Sequence, residues 1–244
     1  MWGVGVVAYI VAVLHRTSFG VSGLAASDRF SISPSVLSSF VVLQIVVYAG
    51  MQIPAGVLLD RYGSRVMIAA GALIMASAQM VLALTESLPL AVAARVFVGI
   101  GDAMTFISVL RLVPQWFAPR RVPLMSQLTG IFGQIGQILS ALPLMLLLNG
   151  PGWSFAYGSA ASLGLLSFVL AVSVIRNAPP GLEVVAAPAG LREVGTQIGA
   201  VWRRHGTRLG FFTHMGTQFS MTTFALLWGV PYLRSAQGLS AAEA

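Results

Sequence analysis

Gly56-Val57-Leu58-Leu59-Asp60-Arg61-Tyr62-Gly63-Ser64-Arg65 sets one carboxylate, two guanidiniums and two glycines at the junction of two apolar runs, Ser35–Leu59 and Val66–Leu84. Each run has the roughly 20 residues that a helix needs to cross about 30 Å of hydrocarbon. A charged turn this short between two such helices marks a chain that crosses a membrane, reverses at its surface and returns. Working outward, five more runs qualify: Trp2–Leu24, Leu90–Leu110, Leu124–Leu148, Trp153–Ile175 and Gly210–Leu233. All are too long and too continuous for barrel strands, which alternate over about ten residues. The expected fold is all-α and multi-spanning.

Composition agrees. Of 244 residues, 57% are hydrophobic and 9% charged, and the mean hydropathy is +0.85. A soluble domain carries about 25% charged residues and leaves roughly 30% of its unfolded surface in water. This chain is too apolar for that, and too apolar for disorder. Without cysteine it is no disulfide scaffold. The first run begins almost at Met1 and lacks a positive start and a small-residue cleavage site, so it reads as a true span.

All 14 positive charges are arginines. Arg61 and Arg65 follow the second run, and Arg111, Arg120 and Arg121 surround the end of the fourth. Arg176, Arg192, Arg203, Arg204 and Arg208 follow the sixth. The opposite side has Arg29 and Arg234. The positive-inside rule then places the N-terminus in the cytoplasm, and the plasma membrane is the expected location. After seven spans, the C-terminus of this chain is extracytoplasmic. The net charge of +7 fits arginine loops facing anionic lipid, and no nucleic-acid partner is expected.

Three regions are expected. Residues 1–175 form a six-helix bundle. Residues 176–209 form a cytoplasmic linker that opens on the breaker Asn177-Ala178-Pro179-Pro180-Gly181. Its apolar residues Leu191, Val194, Ile198 and Val201 have the spacing of an amphipathic helix on the membrane surface, with a solvated linker as the alternative. Residues 210–244 hold a seventh helix and the start of an incomplete second bundle. One helix has nothing to pack against, so the chain reads as a fragment.

Around the opening motif, Gly56 lies one turn before Asp60 and would let a neighbouring helix approach. Asp60 ends a helix, where a carboxylate is unfavourable and gains by facing an arginine or another helix's N-terminus. Gly63 can take positive φ and reverse the chain. A solvated charged turn fits the same residues.

This segment resembles the signature between helices two and three of the major facilitator superfamily, G-x-L-x-D-R-x-G-R-R or similar, with Ser64 where a basic residue often stands. Tyr48-Ala-Gly-Met-Gln52-Ile-Pro54-Ala-Gly56 before it also looks familial. Arg95-Val-Phe-Val-Gly99-Ile-Gly101-Asp102-Ala103 is similar to the family's R-x-x-x-G-x-G pattern, and Trp228-Gly-Val-Pro231-Tyr232-Leu233 resembles the end of its seventh helix. The resemblance implies a major-facilitator-type bundle plus the first helix of a second bundle, rocking about a central site. It implies that Gly56, Asp60, Arg61, Gly63 and Arg65 form a cytoplasmic gate latch. It also implies that Asp60 meets the eleventh helix, in a C-terminal half missing from this chain. The run Gly130-Ile-Phe-Gly133-Gln-Ile-Gly136-Gln differs from the family's antiporter signature in the fifth helix.

Arg16, Arg95 and Asp102 are left inside the membrane, where an arginine costs at least about 2.5 kcal/mol on insertion scales. Asp102 follows Arg95 by two turns on nearly the same face, with Gly99 between them leaving space. Asp102 is expected to pair with Arg16 or Arg95. Proton coupling or substrate contact, a static structural pair, and snorkelling are the competing roles. Gln44, Tyr48 and Gln52, Gln134 and Gln137, and His214 and Gln218 form stripes at helical spacing, equally suited to lining a path and to holding helices together. Three glycines followed by Pro143 predict close packing or a bend in the fifth span. His15 has no partner at zinc spacing, so neither metal nor cofactor is expected.

No zinc-protease motif, phosphate loop or nucleophile elbow occurs, so the chain is not read as an enzyme. A seven-helix receptor would place the N-terminus outside, against the arginine bias. The expected function is transport of a small solute by alternating access, secondary active and coupled to H+. A truncated non-transporting or regulatory half-transporter is the alternative.

Overall fold

The computed structural model describes residues 1–180, 191–222 and 236–238. The chain forms two units, residues 1–188 and 189–244. The first opens with α1 (Trp2–Val21), followed by the short α2 (Gly23–Phe30), α3 (Pro34–Leu84) and α4 (Leu88–Trp116). Next come α5 (Val122–Leu139), a π-helical turn at Ser140–Leu144, α6 (Met145–Asn149) and α7 (Trp153–Val174). Five of its helical stretches are long and apolar enough to cross a membrane, and one of them, Ser39–Leu84, is 46 residues long, enough for two crossings.

The double crossing turns at Gly63, whose φ of 76° and ψ of 169° interrupt α3. No side chain with a Cβ takes that backbone comfortably. The second and third runs are therefore two arms of one broken helix, with no separate loop between them. The first run ends earlier than expected, at Val21, and α2 leads out of it. The fourth runs further, to Trp116, so Arg111 sits on the helix itself.

α1 threads the middle, against α4, α5 and α7, while the second arm of α3 packs on α4 and α7. Backbones meet where side chains vanish. A Cβ on Gly71 would lie 2.7 Å from the Gly101 carbonyl, and one on Gly101 would lie 2.6 Å from the Gly71 carbonyl. On α5, a Cβ at Gly133 would strike the Tyr9 ring and one at Gly136 the Ile10 carbonyl, whereas Gly130 faces open space. Two of the three expected glycines thus serve the α1 seam. Pro143 bends the same span: it offers no N–H and crowds the carbonyl one turn back. A π turn, Ser140–Leu144, takes up the difference.

Each end of the bundle has its own ties. At one end, Trp2 donates to Thr129 Oγ1 (2.9 Å) and packs edge-on to Phe117. Arg65, Trp116 and Asn177 gather at the same end. At the other, the Arg29 Nε–H donates to the Thr85 carbonyl (3.0 Å) and Trp153 Nε1–H to the Leu82 carbonyl (2.7 Å). The N-terminus therefore lies at the arginine-rich end.

In the second unit, α8 (Leu191–Trp202) is the helix expected from the apolar spacing, and α9 (His205–Thr222) follows it. Trp202 packs edge-on to Phe211, ring centroids 5.1 Å apart. The expected seventh span is described as far as Thr222. Its remainder, with Trp228-Gly-Val-Pro231-Tyr232-Leu233 and Arg234, lies outside the described residues, as does Gly181 of the linker breaker.

The glycine seam makes a contrast. Gly101→Ala drives a Cβ into backbone and is expected to lower stability by about 1–3 kcal/mol. Gly130→Ala meets nothing and is expected to stay within about 0.5 kcal/mol. Thermal unfolding of the two variants in detergent measures the difference.

Candidate functional site: a buried arginine–aspartate centre

Arg16 projects from α1 and Asp102 from α4. The Arg16 Nε–H donates to Asp102 Oδ2 at 2.6 Å and the Nη2–H to Oδ1 at 2.8 Å, a bidentate pair. Parallel N–H donors matched to a carboxylate make the strongest charged hydrogen bond available to arginine. The pair is lopsided: the Asp102 side chain is fully buried, while that of Arg16 is 31% exposed. The Tyr48 ring lies 5.0 Å from the Arg16 guanidinium, as a cation–π partner. Gln52, one turn on, donates to the Tyr48 carbonyl at 3.3 Å.

Arg95 has a different role. It is fully buried and solvated by α1's own backbone: Nη1–H donates to the His15 carbonyl (3.2 Å) and Nη2–H to that of Arg16 (2.9 Å). Gln44 Oε1 accepts from the same Nη2, and the Phe19 ring lies 5.1 Å from the guanidinium carbon. Of the two expected partners, Asp102 takes Arg16. The reason is supply: Arg95 already has carbonyl oxygens, and Arg16 does not. Gly99 is not spare room, because a Cβ there would lie 2.8 Å from the Gln44 carbonyl. The missing side chain lets the first arm of α3 come close enough for Gln44 to reach Arg95.

The polar stripes part company. Gln44 meets Arg95 and Tyr48 meets Arg16, while Gln52 reaches only the Tyr48 carbonyl. Gln134 is exposed and Gln137 half-buried on α5, since the face of that helix turned to α1 belongs to Gly133 and Gly136. His214 and Gln218 are exposed on α9, in the other unit. Sequence reading missed Thr17 and Ser140, whose hydroxyls meet at 2.7 Å where the π turn faces α1. It also missed Ser18, Ser22, Gln79 and Tyr157, all buried. Their signal was present: His15, Ser18 and Ser22 share one face of α1, and Gln79 is a lone amide in an apolar run.

At the arginine-rich end, Asp60 pairs with Arg111 on α4, meeting the expectation of an arginine partner. Arg65 donates through its backbone N–H to Asn177 Oδ1 (2.9 Å) and through its guanidinium to the Val172 carbonyl, tying the turn to the end of α7. Arg61 is exposed and lies over the Tyr62 ring. A Cβ on Gly56 would meet nothing within 4 Å among the described residues. α4 reaches the turn through a long side chain, Arg111, and so needs no small residue.

A model of the Major Facilitator Superfamily matches residues 5–244. The chain belongs to that superfamily. A probable sulfoacetate transporter of Cupriavidus necator is 22% identical over 97% of this chain and 57% of its own length. The nitrate/nitrite transporter NrtP of a Picosynechococcus species is 27% identical over 75% of this chain and 35% of its own length. This major facilitator chain thus spans little more than half the length of the Cupriavidus relative and about a third of NrtP. The crystal structure of a POT family transporter in complex with a thioalcohol-conjugated peptide superposes with a TM-score of 0.59. It is 16% identical, over 97% of this chain and 51% of that one, and shares the fold.

Breaking the centre on one side leaves a charge with no counter-ion in a low-dielectric place. Arg16→Met, which leaves the fully buried Asp102 unpaired, is expected to cost about 3 kcal/mol, and the double change Arg16→Met with Asp102→Leu to recover most of it. A double-mutant cycle on thermal unfolding in detergent checks the coupling.

Proposed function

We propose that this chain supplies the first bundle of a secondary transporter that moves small anions together with protons by alternating access. The lopsided Arg16–Asp102 pair carries the reading. Arg16 is partly exposed, while Asp102 is fully buried. Two arginines against one aspartate leave a positive charge that a carboxylate, sulfonate or nitrate can neutralise. Sulfoacetate and nitrate, which name two of the relatives, are anions of this kind.

The chemistry follows from competition for one guanidinium. An arriving anion takes Arg16 by the same two-pronged contact that Asp102 uses. Asp102, stripped of its counter-ion in a buried site, is then held as the neutral acid by taking a proton. Release of the anion returns Arg16 to Asp102 and expels the proton. Each step alters what holds α1 to α4, and a second bundle completes the path. Asp60, Arg111, Arg65 and Asn177 form the latch at the cytoplasmic end, with the bundle in the plasma membrane. The position of the N-terminus at the arginine-rich end supports that orientation.

Proteoliposomes of the protein that carries this bundle test the reading. Asp102→Asn is expected to abolish proton-driven anion uptake and to keep anion counterflow. Arg16→Gln is expected to abolish both. Equal loss of both activities in Asp102→Asn would exclude the coupling role. Uptake competed by a neutral sugar but not by sulfoacetate or nitrate would exclude the anion.

A further inference from the structure

In the second unit, α8 and α9 meet at a corner made by Arg203 and Arg204. Its backbone is pinned. The Arg203 N–H donates to the Gly199 carbonyl (3.2 Å), and the Arg204 carbonyl accepts from the N–H groups of Thr207 (3.1 Å) and Arg208 (3.3 Å). Three arginines thus fall between residues 203 and 208, and all three are exposed. Arg208 gives one donor to His205 Nδ1, at 3.1 Å. Among the described residues none of the three pairs with a carboxylate. The acidic residue of α8, Glu193, stands ten residues before Arg203, or about 15 Å along a helix. Beside the arginines lies apolar surface. Trp202 is exposed and meets Phe211 and Phe212, also exposed, at ring-centroid distances of 5.1 and 6.3 Å. Val194, Ile198, Val201, Trp202, Thr207 and Phe211 line an open groove of about 410 Å³. Arg203 directly follows Trp202, and Arg208 directly follows Thr207, so one end of the groove borders the arginine corner.

Each part of this surface restricts what can cover it. An acidic peptide answers the guanidiniums and leaves the groove and the three rings in water. A neutral lipid fills the groove and leaves the guanidiniums without a counter-ion. An amphiphile with a negative headgroup satisfies both at once. A guanidinium takes a phosphate through two parallel N–H donors. Tryptophan is at home at the headgroup level of a bilayer. Basic residues near an anionic leaflet are drawn to it, and an apolar helix face beside them beds into the acyl boundary.

We propose that the α8–α9 corner binds an anionic phospholipid, with an acyl chain in the groove and the phosphate on Arg203, Arg204 and Arg208. The site needs neither the Arg16–Asp102 pair nor a transported solute. It asks more than a helix lying on any bilayer, because the arginines select the lipid by charge. Bound in this way, the lipid ties the segment after the first bundle to the membrane surface.

The chain has no cysteine, so Gly199→Cys, where a Cβ meets nothing within 4 Å, carries a single bimane next to the groove. The full chain is placed in phosphatidylcholine nanodiscs with a small fraction of lipid bearing a nitroxide on its acyl chain. Labelled phosphatidylglycerol is expected to quench the bimane about threefold more than labelled phosphatidylcholine at the same mole fraction. Changing Arg203, Arg204 and Arg208 together to Gln is expected to bring the two lipids level. Changing the same three to Lys keeps the charge and is expected to keep most of the preference, which separates loss of charge from a folding defect. A bimane on Leu165→Cys, an exposed apolar position of α7, is expected to show no preference. Equal quenching by the two lipids at Gly199→Cys would overturn the proposal, as would a preference that survives the three changes to Gln. Quenching by neither lipid would mean that protein covers the groove, and would overturn it too. A preference abolished by millimolar inorganic phosphate would assign the corner to free phosphate instead of lipid.

Discussion

A guanidinium carried into a membrane must find oxygen, and this bundle is arranged around two that have done so. Arg16 takes the Asp102 carboxylate with two parallel bonds. Arg95 takes two carbonyls of α1 and the amide oxygen of Gln44. Both solutions tie α1 to α4, and neither works at a separation of another ångström or two. Polar groups away from water are satisfied or expensive. The position of α1 within the bundle is therefore set by where those oxygens can be.

Tight polar contacts in an apolar setting require helices to come close, and the small residues supply that closeness. Gly71 and Gly101 let the second arm of α3 meet α4, Gly99 admits the first arm, and Gly136 admits α1. Lipid gives packed helices no hydrophobic drive toward one another, so fit and hydrogen bonding decide the partners. The same logic accounts for the two interruptions. Gly63 turns the double crossing where a charged end can meet water and Arg111. Pro143 opens a π turn that brings Ser140 to Thr17.

The Asp60–Arg111 pair and the central pair use the same chemistry in different surroundings. Asp60–Arg111 is a half-exposed pair at the bundle's end, screened by solvent and salt. Arg16–Asp102 is closed on its acidic side. Charges at the end can exchange partners cheaply, while breaking the central pair leaves a buried carboxylate unpaired.

The six spans of the first unit, the reversal at Gly63, the α8 helix and the charges at Arg16, Arg95 and Asp102 were legible in the residues. Each is a local property: an apolar run of sufficient length, a residue free to take positive φ, an apolar spacing, a charge with no water. Partner choice was not legible. Asp102 could reach toward either arginine, Asp60 toward any cation, and the stripes Gln44–Tyr48–Gln52 and Gln134–Gln137 looked alike along the chain. Only the packing of α1 between α4, α5 and α7 separated them, because a side chain's partner depends on distances between helices far apart in sequence. The amino acids alone set what had to be buried and where the chain had to turn, since those costs are paid residue by residue. Which oxygen each buried nitrogen found was decided by tertiary structure, because a hydrogen bond exists only over a few tenths of an ångström.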